Sequence, residues 1–555
     1  MSMEMNGFIK VNTSGAGTAF TENGAVSYKS TGLALTDQFA KAGTARGRDY
    51  SEVWNEQAQL WNEDKENALR FPFYLRLITR KSNLLNDTAT EKVQRGQGAR
   101  DEAFKRLLWI AAFHEDEFYR NLWVLPIVGS WKDLWVLMSM AMNDTMPVSF
   151  KLDANKFFEV IAQGIHSQMH VDLVKKYMPR LRSNNKCTTG WAIATNTLAK
   201  MFCEFVGWTP KEYRQFKSTG RAHAFQREIC AGKFDTINWS LIPGKALLNL
   251  VSGKFLSNHH LTDSYIKWLK EQPAVKFNGY AYELGHKLAP AYGKTPSLAT
   301  VVTVDKQFES LLATGNADGG AIQGNVLCAL DTSGSMTCPV TENGVTAYDV
   351  CVSLGIYFSA LNKGAFHNTV AMFDNTSELL KLKEGTFSEK LNQIRGTRTA
   401  WGGTNFQSLI DLIVRTRRQN KNIPLEDYPT TLLVVSDMQF NPSNGYNSSR
   451  GSEATNYEEA MRKLREVFPE EFVDNFKIVW WFCSSRNYGG YAPISDVPST
   501  IDDKGTFVIS GFDGAIISAL LGDAGLANEA GEKEQPSMED LAKAALSQEV
   551  LMLIA

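Results

Sequence analysis

The sequence predicts an α + α/β protein, in which an all-helical repeat module precedes a doubly wound α/β domain. From about residue 51 to 300, segments such as EVWNEQAQLWNED, DEAFKRLLWIAAF and KFFEVIAQGI place apolar residues at three- and four-residue spacings. This is the period of an amphipathic helix. Farther along, the short apolar runs VLCAL, TVAMF, TLLVVS, KIVWWFC and TFVIS alternate with helical patterns, which is typical of a mostly parallel sheet covered by helices.

The length and the breaks in these patterns predict the domain organisation. At 555 residues the chain is too long for a single core. The helices of the first part are read as antiparallel pairs stacked in a solenoid, although no strict sequence repeat is visible. We predict a helical-repeat domain, a Gly-rich linker, an α/β domain, and a charged linker with a C-terminal helix, at 1–312, 313–324, 325–522 and 523–555.

Composition favours a cytoplasmic globular protein. Hydrophobic residues make up 43% and charged residues 21% of the chain, and the mean hydropathy is -0.24. No apolar run is long enough to predict a membrane span, and the first residues lack the pattern of a secretory signal. The seven cysteines are widely spaced without a CxxC pair, which suits reduced thiols rather than a disulfide framework or a zinc site.

The small net charge of -2 hides a strong asymmetry. Residues 1–300 carry 38 Lys+Arg against 28 Asp+Glu, a net of +10, and the remaining residues have a net of -12. Within the first part, 151–300 has 21 basic and 10 acidic residues, a net of +11. Such a basic excess is expected where a protein meets a polyanion. Alternatively, the two halves complement each other across an internal interface.

One set of polar residues predicts a divalent-metal site. Asp331, Ser333 and Ser335 form the segment DTSGS directly after the first strand of the α/β domain, and Asp437 follows the strand TLLVVS. Thr404 lies in the loop WGGTNF before a helix. Loops converge at the carboxyl edge of a parallel sheet, so two carboxylates and three hydroxyls are expected to meet there. Hard oxygen ligands favour Mg²⁺, with Mn²⁺ or Ca²⁺ as alternatives.

No catalytic constellation competes with this interpretation, so we predict a protein that is not an enzyme. Ser333 occupies the position where a haloacid-dehalogenase-like phosphatase needs a second Asp, and no G-x-S-x-G elbow surrounds the serines. Gly293–Thr295 resembles the end of a P-loop, but no strand precedes it. His166 and His170 have the spacing of zinc ligands on a helix, yet Ser167 replaces the Glu of a metalloprotease.

The DxSxS, Thr and Asp pattern resembles the metal-ion-dependent adhesion site of the von Willebrand factor A family. All five positions match in order, on the expected strands and loops. The resemblance implies a von Willebrand A domain in 325–522, with Asp331, Ser333, Ser335, Thr404 and Asp437 as metal ligands. A degenerate site, kept only for loop packing, is the alternative.

The helical part of the chain resembles the TROVE-type helical module, and the ending of the α/β part is similar to a family that shares this module. The resemblance covers about residues 20 to 522 and rests on TENGAVSYKSTG, RGQGARDEAFKRLLWIA, GSWKDLW, KEYRQF, INWSLIPGKA and the ending WFCSSRNYGG…GTFVISGFDGAIISALL. Similarity to a functionally uncharacterised family with the same domain order is close, and similarity to the Ro ribonucleoprotein autoantigen is distant. The resemblance implies a HEAT-like helical ring or horseshoe closed by the metal-binding domain.

In Ro proteins such a ring binds small structured RNAs and single-stranded RNA ends, so the resemblance implies an RNA partner. The segments 175–186 and 211–227 interleave Lys and Arg with Tyr, Phe and polar residues, a mixture that neutralises phosphates and stacks on unpaired bases. These cations could instead simply solvate the outer faces of helices. The candidate RNA-binding residues are Lys175, Lys176, Arg180, Arg182, Lys186, Arg214, Lys217, Arg221 and Arg227.

The sequence therefore predicts a non-enzymatic, Ro-like RNA-binding protein with a Mg²⁺-binding von Willebrand A domain. A second hypothesis is a protein-binding adaptor, in which an open coordination position of the metal takes a carboxylate from a partner, as in von Willebrand A proteins that work beside AAA+ ATPases. A third is a structural component of a larger assembly. Steep salt dependence of nucleic-acid affinity would favour the first hypothesis.

Overall fold

The computed structural model describes most of the 555-residue chain. The described residues are 18–20, 23–28, 31–43, 47–78, 80–82, 92–94, 96–182, 189–220, 224–289, 295–317, 325–341, 343–362, 365–397, 402–443, 455–483, 506–511 and 537–555.

The chain forms two compact units. The helical unit comprises Gly47–Lys233 and Lys543–Ala555, and the sheet unit comprises Met1–Arg46 and Phe234–Ala542. Residues 234–312, which the helical sequence pattern places in the N-terminal domain, thus belong to the unit that contains the sheet.

The helical unit is built from helices of very different length and one small antiparallel strand pair, β3 (Arg80–Ser82) with β4 (Lys92–Gln94). Its helices are Tyr50–Glu63, Lys65–Arg76, Arg100–Phe113, Glu115–Asn121, Leu125–Val128, Trp131–Asn143, Ala154–His166, Val171–Tyr177, Gly190–Val206, Pro210–Ser218 and Ala224–Cys230.

Local signals in the sequence fix the ends of the helices in the basic region. The Thr189 side chain accepts a hydrogen bond from the backbone N–H of Ala192 and starts the helix Gly190–Val206. This helix ends at Gly207, whose φ of 70° is the left-handed conformation that glycine adopts without a steric penalty. Thr209 and Glu212 then form a capping box at the start of the next helix.

A buried ion network joins three segments of the helical unit. The Arg48 guanidinium donates to Glu102 and, at 2.6 Å, to Glu56. The Arg106 guanidinium donates to the same two carboxylates, at 3.0 Å to Glu102 and 2.7 Å to Glu56. The side chains of Arg48, Glu102 and Arg106 are almost fully buried. Buried charges are tolerated when they are paired in this way.

The sheet unit contains a six-stranded mixed sheet. Its strands, numbered along the chain, are β5 (Val326–Asp331), β6 (Thr369–Phe373), β7 (Ser377–Lys381), β8 (Thr431–Ser436), β9 (Lys477–Phe482) and β10 (Thr506–Ser510). The order in the sheet is β10-β9-β8-β5-β6-β7. All neighbours are parallel except β6 and β7. Strands β6 and β7 follow on one side of β5, whereas β8, β9 and β10 follow on its other side. The direction in which strands are added thus reverses between β5 and β8, which is the switch point of a doubly wound sheet.

The apolar composition of the central strands follows from their position. Every residue of β5 and of β8 is buried, as expected for parallel strands that are covered on both faces. The helices of the sheet unit are Ala34–Lys41, Gly244–Ser252, Phe255–Asn258, Thr262–Lys270, Ala281–Lys287, Leu298–Ala317, Ala347–Leu361, Phe387–Thr397, Phe406–Gln419, Asn456–Arg465 and Glu470–Asp474. A short hairpin, β1 (Thr18–Phe20) with β2 (Val26–Tyr28), precedes them, and the helix Met538–Leu546 starts within this unit.

The helices of residues 234–317 pack directly on the helices of the α/β region. Phe308 stacks on Phe387 with ring centroids 4.4 Å apart, and the Asp305 carboxylate accepts two hydrogen bonds of 2.8 Å from Ser388. Hydrophobic periodicity shows that a helix has a buried face but not which neighbour buries it. The predicted linker 313–324 also starts inside the helix Leu298–Ala317, and its remaining residues 318–324 lie outside the described part.

The predicted α + α/β class is confirmed at the level of helices followed by a C-terminal mixed six-stranded sheet. Among the described residues, none of the helices combines the length and the apolar character needed to cross a membrane.

Candidate metal centre and cationic pocket

The five predicted metal ligands meet at the carboxyl edge of the sheet, at its switch point. Asp331 is the last residue of β5, and Asp437 directly follows β8, the parallel neighbour of β5. Ser333 and Ser335 lie in the loop after β5, and Thr404 precedes the helix Phe406–Gln419. Doubly wound sheets bind their ligands at this position, because the loops from both directions diverge there.

Backbone hydrogen bonds connect the loops that carry these residues. Thr332 donates from its backbone N–H, at 2.9 Å, and from its hydroxyl, at 3.1 Å, to the carbonyl of Phe373 at the end of β6. The Gly334 N–H donates to the Gly402 carbonyl at 3.2 Å, and the Asn441 N–H donates to the Thr404 carbonyl at 2.8 Å. The relative positions of the three ligand-bearing loops are therefore set by the main chain.

Two hydrogen bonds orient the Asp331 carboxylate. Its Oδ1 accepts a hydrogen bond of 2.8 Å from the backbone N–H of Ser333, and its Oδ2 accepts one of 2.5 Å from the Ser436 hydroxyl. The residue is fully buried. Burial and then the nearby Asp437 carboxylate raise the pKa of Asp331 to about 7. A buried carboxylate pair of this kind is stabilised in its ionised form by a cation.

The hydroxyl groups complete a set of oxygen donors. The Ser333 and Ser335 hydroxyl oxygens are 3.2 Å apart. The Thr404 hydroxyl oxygen is buried and has no hydrogen-bond partner within the described part of the chain. A buried hydroxyl without a hydrogen-bond partner lowers the free energy of unfolding, unless a bound ion, water or ligand interacts with it. Ser335 is half-buried, whereas Ser333, Thr404 and both carboxylates are buried.

This donor set fits a hard divalent cation. Across the residues that the structure describes, no three His, Cys, Asp or Glu side chains lie together as metal ligands, and the predicted set contains only two such groups. Two carboxylates with hydroxyls and water suit Mg²⁺, which usually takes few protein ligands and keeps several waters. Zinc prefers nitrogen and sulfur ligands, and the predicted set consists of oxygen atoms alone.

Two buried thiols donate hydrogen bonds to carbonyls of the strands that carry the candidate site. The Cys351 thiol donates to the carbonyls of Asp331 and Val435, at 3.7 and 3.3 Å, and the Cys483 thiol donates to the Ser436 carbonyl at 3.4 Å. Burial raises the pKa of both thiols well above the ordinary value. They therefore stay protonated, and a thiolate nucleophile is not expected at this position.

The helical unit has a cationic pocket of about 500 Å³. It is formed where the helices Trp131–Asn143, Val171–Tyr177 and Gly190–Val206 meet the segment after Tyr177. We define the cationic pocket by its lining residues, Lys132, Trp135, Lys176, Tyr177, Met178, Pro179, Arg180, Arg182, Thr189, Trp191, Ala192 and Thr195. Three predicted RNA-binding residues, Lys176, Arg180 and Arg182, are thus brought together.

The other predicted RNA-binding residues are arranged differently. Lys217 is half-buried and donates to the Lys175 carbonyl at 3.2 Å, and Lys175 lies over the Phe216 ring, so both serve helix packing. Arg214 and Arg227 are exposed and do not line the pocket. Lys186 and Arg221 lie outside the described residues. His166 and His170 occupy the end of one helix and the start of the next.

Sequence reasoning missed three residues of these two sites. Ser436 donates to Asp331, and the signal for it in the sequence is its place at the end of a buried strand, directly before Asp437. Lys132 and Trp191 line the cationic pocket with the Lys132 Nζ 5.9 Å from the Trp191 ring centroid. They are distant in sequence from the basic segments, but exposed Trp191 closely follows a helix N-cap and could have been noticed there.

Comparison with known proteins identifies two similarities. Residues 325–552 match the model of a family described as a domain of unknown function, DUF7788. This match contains β5 to β10 and all five predicted metal ligands. The chain is also 24% identical over 544 residues to the uncharacterized protein L728 of Acanthamoeba polyphaga mimivirus. That similarity covers 91% of this chain and 85% of the relative, so it extends over both units.

Proposed function

We propose that this protein binds small or single-stranded RNA without catalysing its turnover, and that the helical unit provides the binding surface. The observation that carries the proposal is the clustering of Lys132, Lys176, Arg180 and Arg182 around one pocket. In the described part of the chain, these cations form no salt bridge with a carboxylate. Unpaired cations at one place create the positive potential that attracts phosphates.

The arrangement also favours the binding of unpaired RNA over the binding of a duplex. Aromatic residues lie among the cations, with Trp191 at 43% exposure, and bases that are not paired can stack on such rings. The neighbouring Lys176 ammonium and Tyr177 ring, with the ammonium 5.2 Å from the ring centroid, provide the same combination. A purely solvated helix face would not need to bring aromatic rings and cations from three helices to one concave surface.

The test is purification without nuclease followed by direct measurement. The ratio of absorbance at 260 and 280 nm and sequencing of co-purifying nucleic acid identify any bound RNA. Affinity for a labelled RNA oligomer is then measured at several salt concentrations. We expect the logarithm of the affinity to fall linearly with the logarithm of salt. Absence of RNA after purification together with no measurable affinity at low salt would refute the proposal.

We further propose that the sheet unit is a von Willebrand A-like domain that holds Mg²⁺ with Asp331, Ser333, Ser335, Thr404 and Asp437. The strand order, the switch-point position and the unpartnered Thr404 hydroxyl, all within the described residues, support this assignment. When bound, the metal would supply an open coordination position for a carboxylate oxygen of a partner. This second function is that of a metal-dependent protein-binding adaptor. The observation that favours it is the exposure of Ser335, which is half-buried whereas the other four proposed ligands are buried. A metal held by these residues would therefore be reached by a partner from the side of Ser335.

The adaptor function is tested by titration of Mg²⁺ and Mn²⁺ into wild type and Thr404→Ala. We expect saturable metal binding by wild type and weaker binding by the variant. Acetate and acidic peptides are then tested as metal-dependent ligands, with chelator as the control. Wild type that binds no divalent cation at millimolar concentration would contradict both the metal assignment and the adaptor function.

A further inference from the structure

The cationic pocket has features that the general RNA-binding proposal does not explain. A phosphate-binding surface needs only exposed cations, but this pocket is a concavity with an apolar floor. Trp135 and Met178 are buried beneath it, and Trp191 stands exposed at its rim. Its volume of about 500 Å³ is in the range of sites for small ligands, roughly 300–1,000 Å³. The pocket is therefore of a size for a single nucleotide.

The cations of the pocket stay close together although they repel one another. Arg180 and Arg182 are both exposed and line the same cavity, and the backbone N–H of Arg182 is fixed by a hydrogen bond of 2.8 Å to the Asn196 side chain. Lys217 does not line the pocket, but burial and then the nearby Arg180 guanidinium lower the pKa of its ammonium, so the positive potential of Arg180 extends to its neighbours. An anion placed between Arg180 and Arg182 would relieve the repulsion between these two guanidinium groups.

The end of a long helix adds to the same potential. The helix Gly190–Val206 has 17 residues, and its first turn, with Thr189, Trp191 and Ala192, lines the pocket. The positive end of the helix dipole favours a negative group at that position. Lys132, with its ammonium 5.9 Å from the Trp191 ring centroid, places a cation and a π surface side by side. Phosphate and base recognition are thus available within one cavity.

We propose that the cationic pocket receives one unpaired nucleotide of single-stranded RNA, with its base stacked on Trp191 and its phosphate between Arg180 and Arg182. The inference rests on the proposed RNA-binding function and adds the identity of the recognised group. The pocket makes this nucleotide the anchoring point of the strand. Stacking on a ring is tolerant of base identity, so the pocket does not select one sequence.

The experiment compares two probes and three variants by fluorescence anisotropy. The probes are a labelled oligouridylate and an abasic ribose-phosphate oligomer of the same length. The variants are Trp191→Ala, the conservative Trp191→Phe, and Trp123→Ala. Trp123 is the matched control, because it is an exposed tryptophan of the same unit, 41% exposed against 43% for Trp191, and does not line the pocket. Circular dichroism melting shows that each variant is folded.

We expect Trp191→Ala to weaken binding of the oligouridylate by about tenfold, which is in the range of one base–aromatic stack. Binding of the abasic oligomer should not change, Trp191→Phe should retain most of the affinity, and Trp123→Ala should bind like wild type. If wild type binds both probes and Trp191→Ala binds them equally well, the nucleotide pocket is refuted while RNA binding stands. If wild type binds neither probe, the RNA-binding function itself fails and the pocket with it.

Discussion

The Ser436 hydroxyl donates a hydrogen bond of 2.5 Å to the Asp331 carboxylate across the two central strands of the sheet. Both residues are fully buried. Ser436 Oγ in turn accepts a hydrogen bond from the Met438 backbone N–H at 3.0 Å, and Met438 has a positive φ of 65°. This conformation is uncommon for a residue other than glycine and is found where surrounding structure enforces it. Ser436 therefore holds the Asp331 carboxylate in one orientation and links it to the turn that presents Asp437.

The first prediction concerns this orienting bond. Ser436→Ala should weaken Mg²⁺ binding by roughly 10- to 100-fold, the usual effect of removing a group that positions a metal ligand. Asp331→Asn should abolish binding, because it removes the ligand charge with little change in shape. Isothermal titration calorimetry measures both. Ser359→Ala, a buried serine of the same unit away from the site, is the matched control. Equal Mg²⁺ affinity in Ser436→Ala and wild type would show that the bond has no role in binding.

A second prediction follows from the raised pKa of Asp331. Without metal, the folded protein holds the Asp331 proton more tightly than the unfolded chain, because the pKa rises from its ordinary value of 3.8 to about 7. This contribution to the free energy of unfolding is complete below pH 3.8. It decreases as the pH rises to about 7. In the proposed site Mg²⁺ would bind the ionised carboxylate, so its stabilising effect should grow over the same interval.

Thermal melts with chelator and with Mg²⁺ across this pH range check the second prediction. A Mg²⁺ concentration of a hundred times the dissociation constant corresponds to about 2.7 kcal/mol of stabilisation. Asp331→Asn corrects for the other titrating groups, since this variant should show neither the Asp331 component of the pH dependence nor the response to Mg²⁺. A Mg²⁺ effect of constant size from about pH 4 to about pH 7 would contradict the assignment of Asp331 as the ligand that titrates.

The grouping of the proposed metal ligands could be predicted from the sequence, because Asp331 and Asp437 lie at the ends of strands that are themselves evident. The apolar runs VLCAL and TLLVVS coincide with β5 and β8, so Asp331 and Asp437 could be placed at the same edge. β7 was not predicted, because this edge strand, SELLK, is exposed or half-buried along its length and contains only two adjacent apolar residues. The hydrogen bond from Ser436 to Asp331 could not be predicted either. The pairing of β5 and β8 places both residues at the same edge of the sheet but does not determine which side chains contact each other.

The residues that line the cationic pocket could not be predicted together from the sequence. The basic segment 175–186 was evident from composition, yet Lys175 and Lys176, adjacent in sequence, have different environments. Lys176 lines the pocket, whereas Lys175 packs over Phe216. Trp191 joins the site through the packing of a separate helix. A count of charges indicates where a polyanion would bind, but concavity arises only from tertiary packing.

A third prediction is the absence of hydrolytic turnover. Ser333 and Ser335 share a hydrogen bond with each other, and in the described part of the chain neither hydroxyl is hydrogen-bonded to a histidine that could act as its base. We therefore expect no cleavage of RNA or of a phosphoester by wild type with Mg²⁺ present. Assays of labelled RNA and a chromogenic phosphoester check this expectation. Robust cleavage that disappears in Ser333→Ala would show that the site is catalytic.

The last prediction separates phosphate binding from a structural use of the same cations. Arg180→Glu with Arg182→Glu should weaken RNA binding to a similar extent for different base sequences, because phosphates are common to all RNAs. The slope of the logarithm of affinity against the logarithm of salt should become shallower by about 0.7 for each phosphate of the single strand that the variant no longer neutralises. The two arginines are exposed, so the melting temperature should stay close to that of wild type.

The control for this charge reversal is Lys151→Glu with Lys156→Glu. Both lysines are exposed in the same unit and lie outside the cationic pocket, so the control changes the net charge equally. If the general positive potential were responsible, both double variants would bind RNA more weakly to the same extent. If the two arginines only stabilised the fold, their variant would have a lower melting temperature and wild type would show no affinity for RNA. A larger decrease of affinity in the arginine variant, at unchanged melting temperature and with a shallower salt slope, is the result that a phosphate-binding pocket requires.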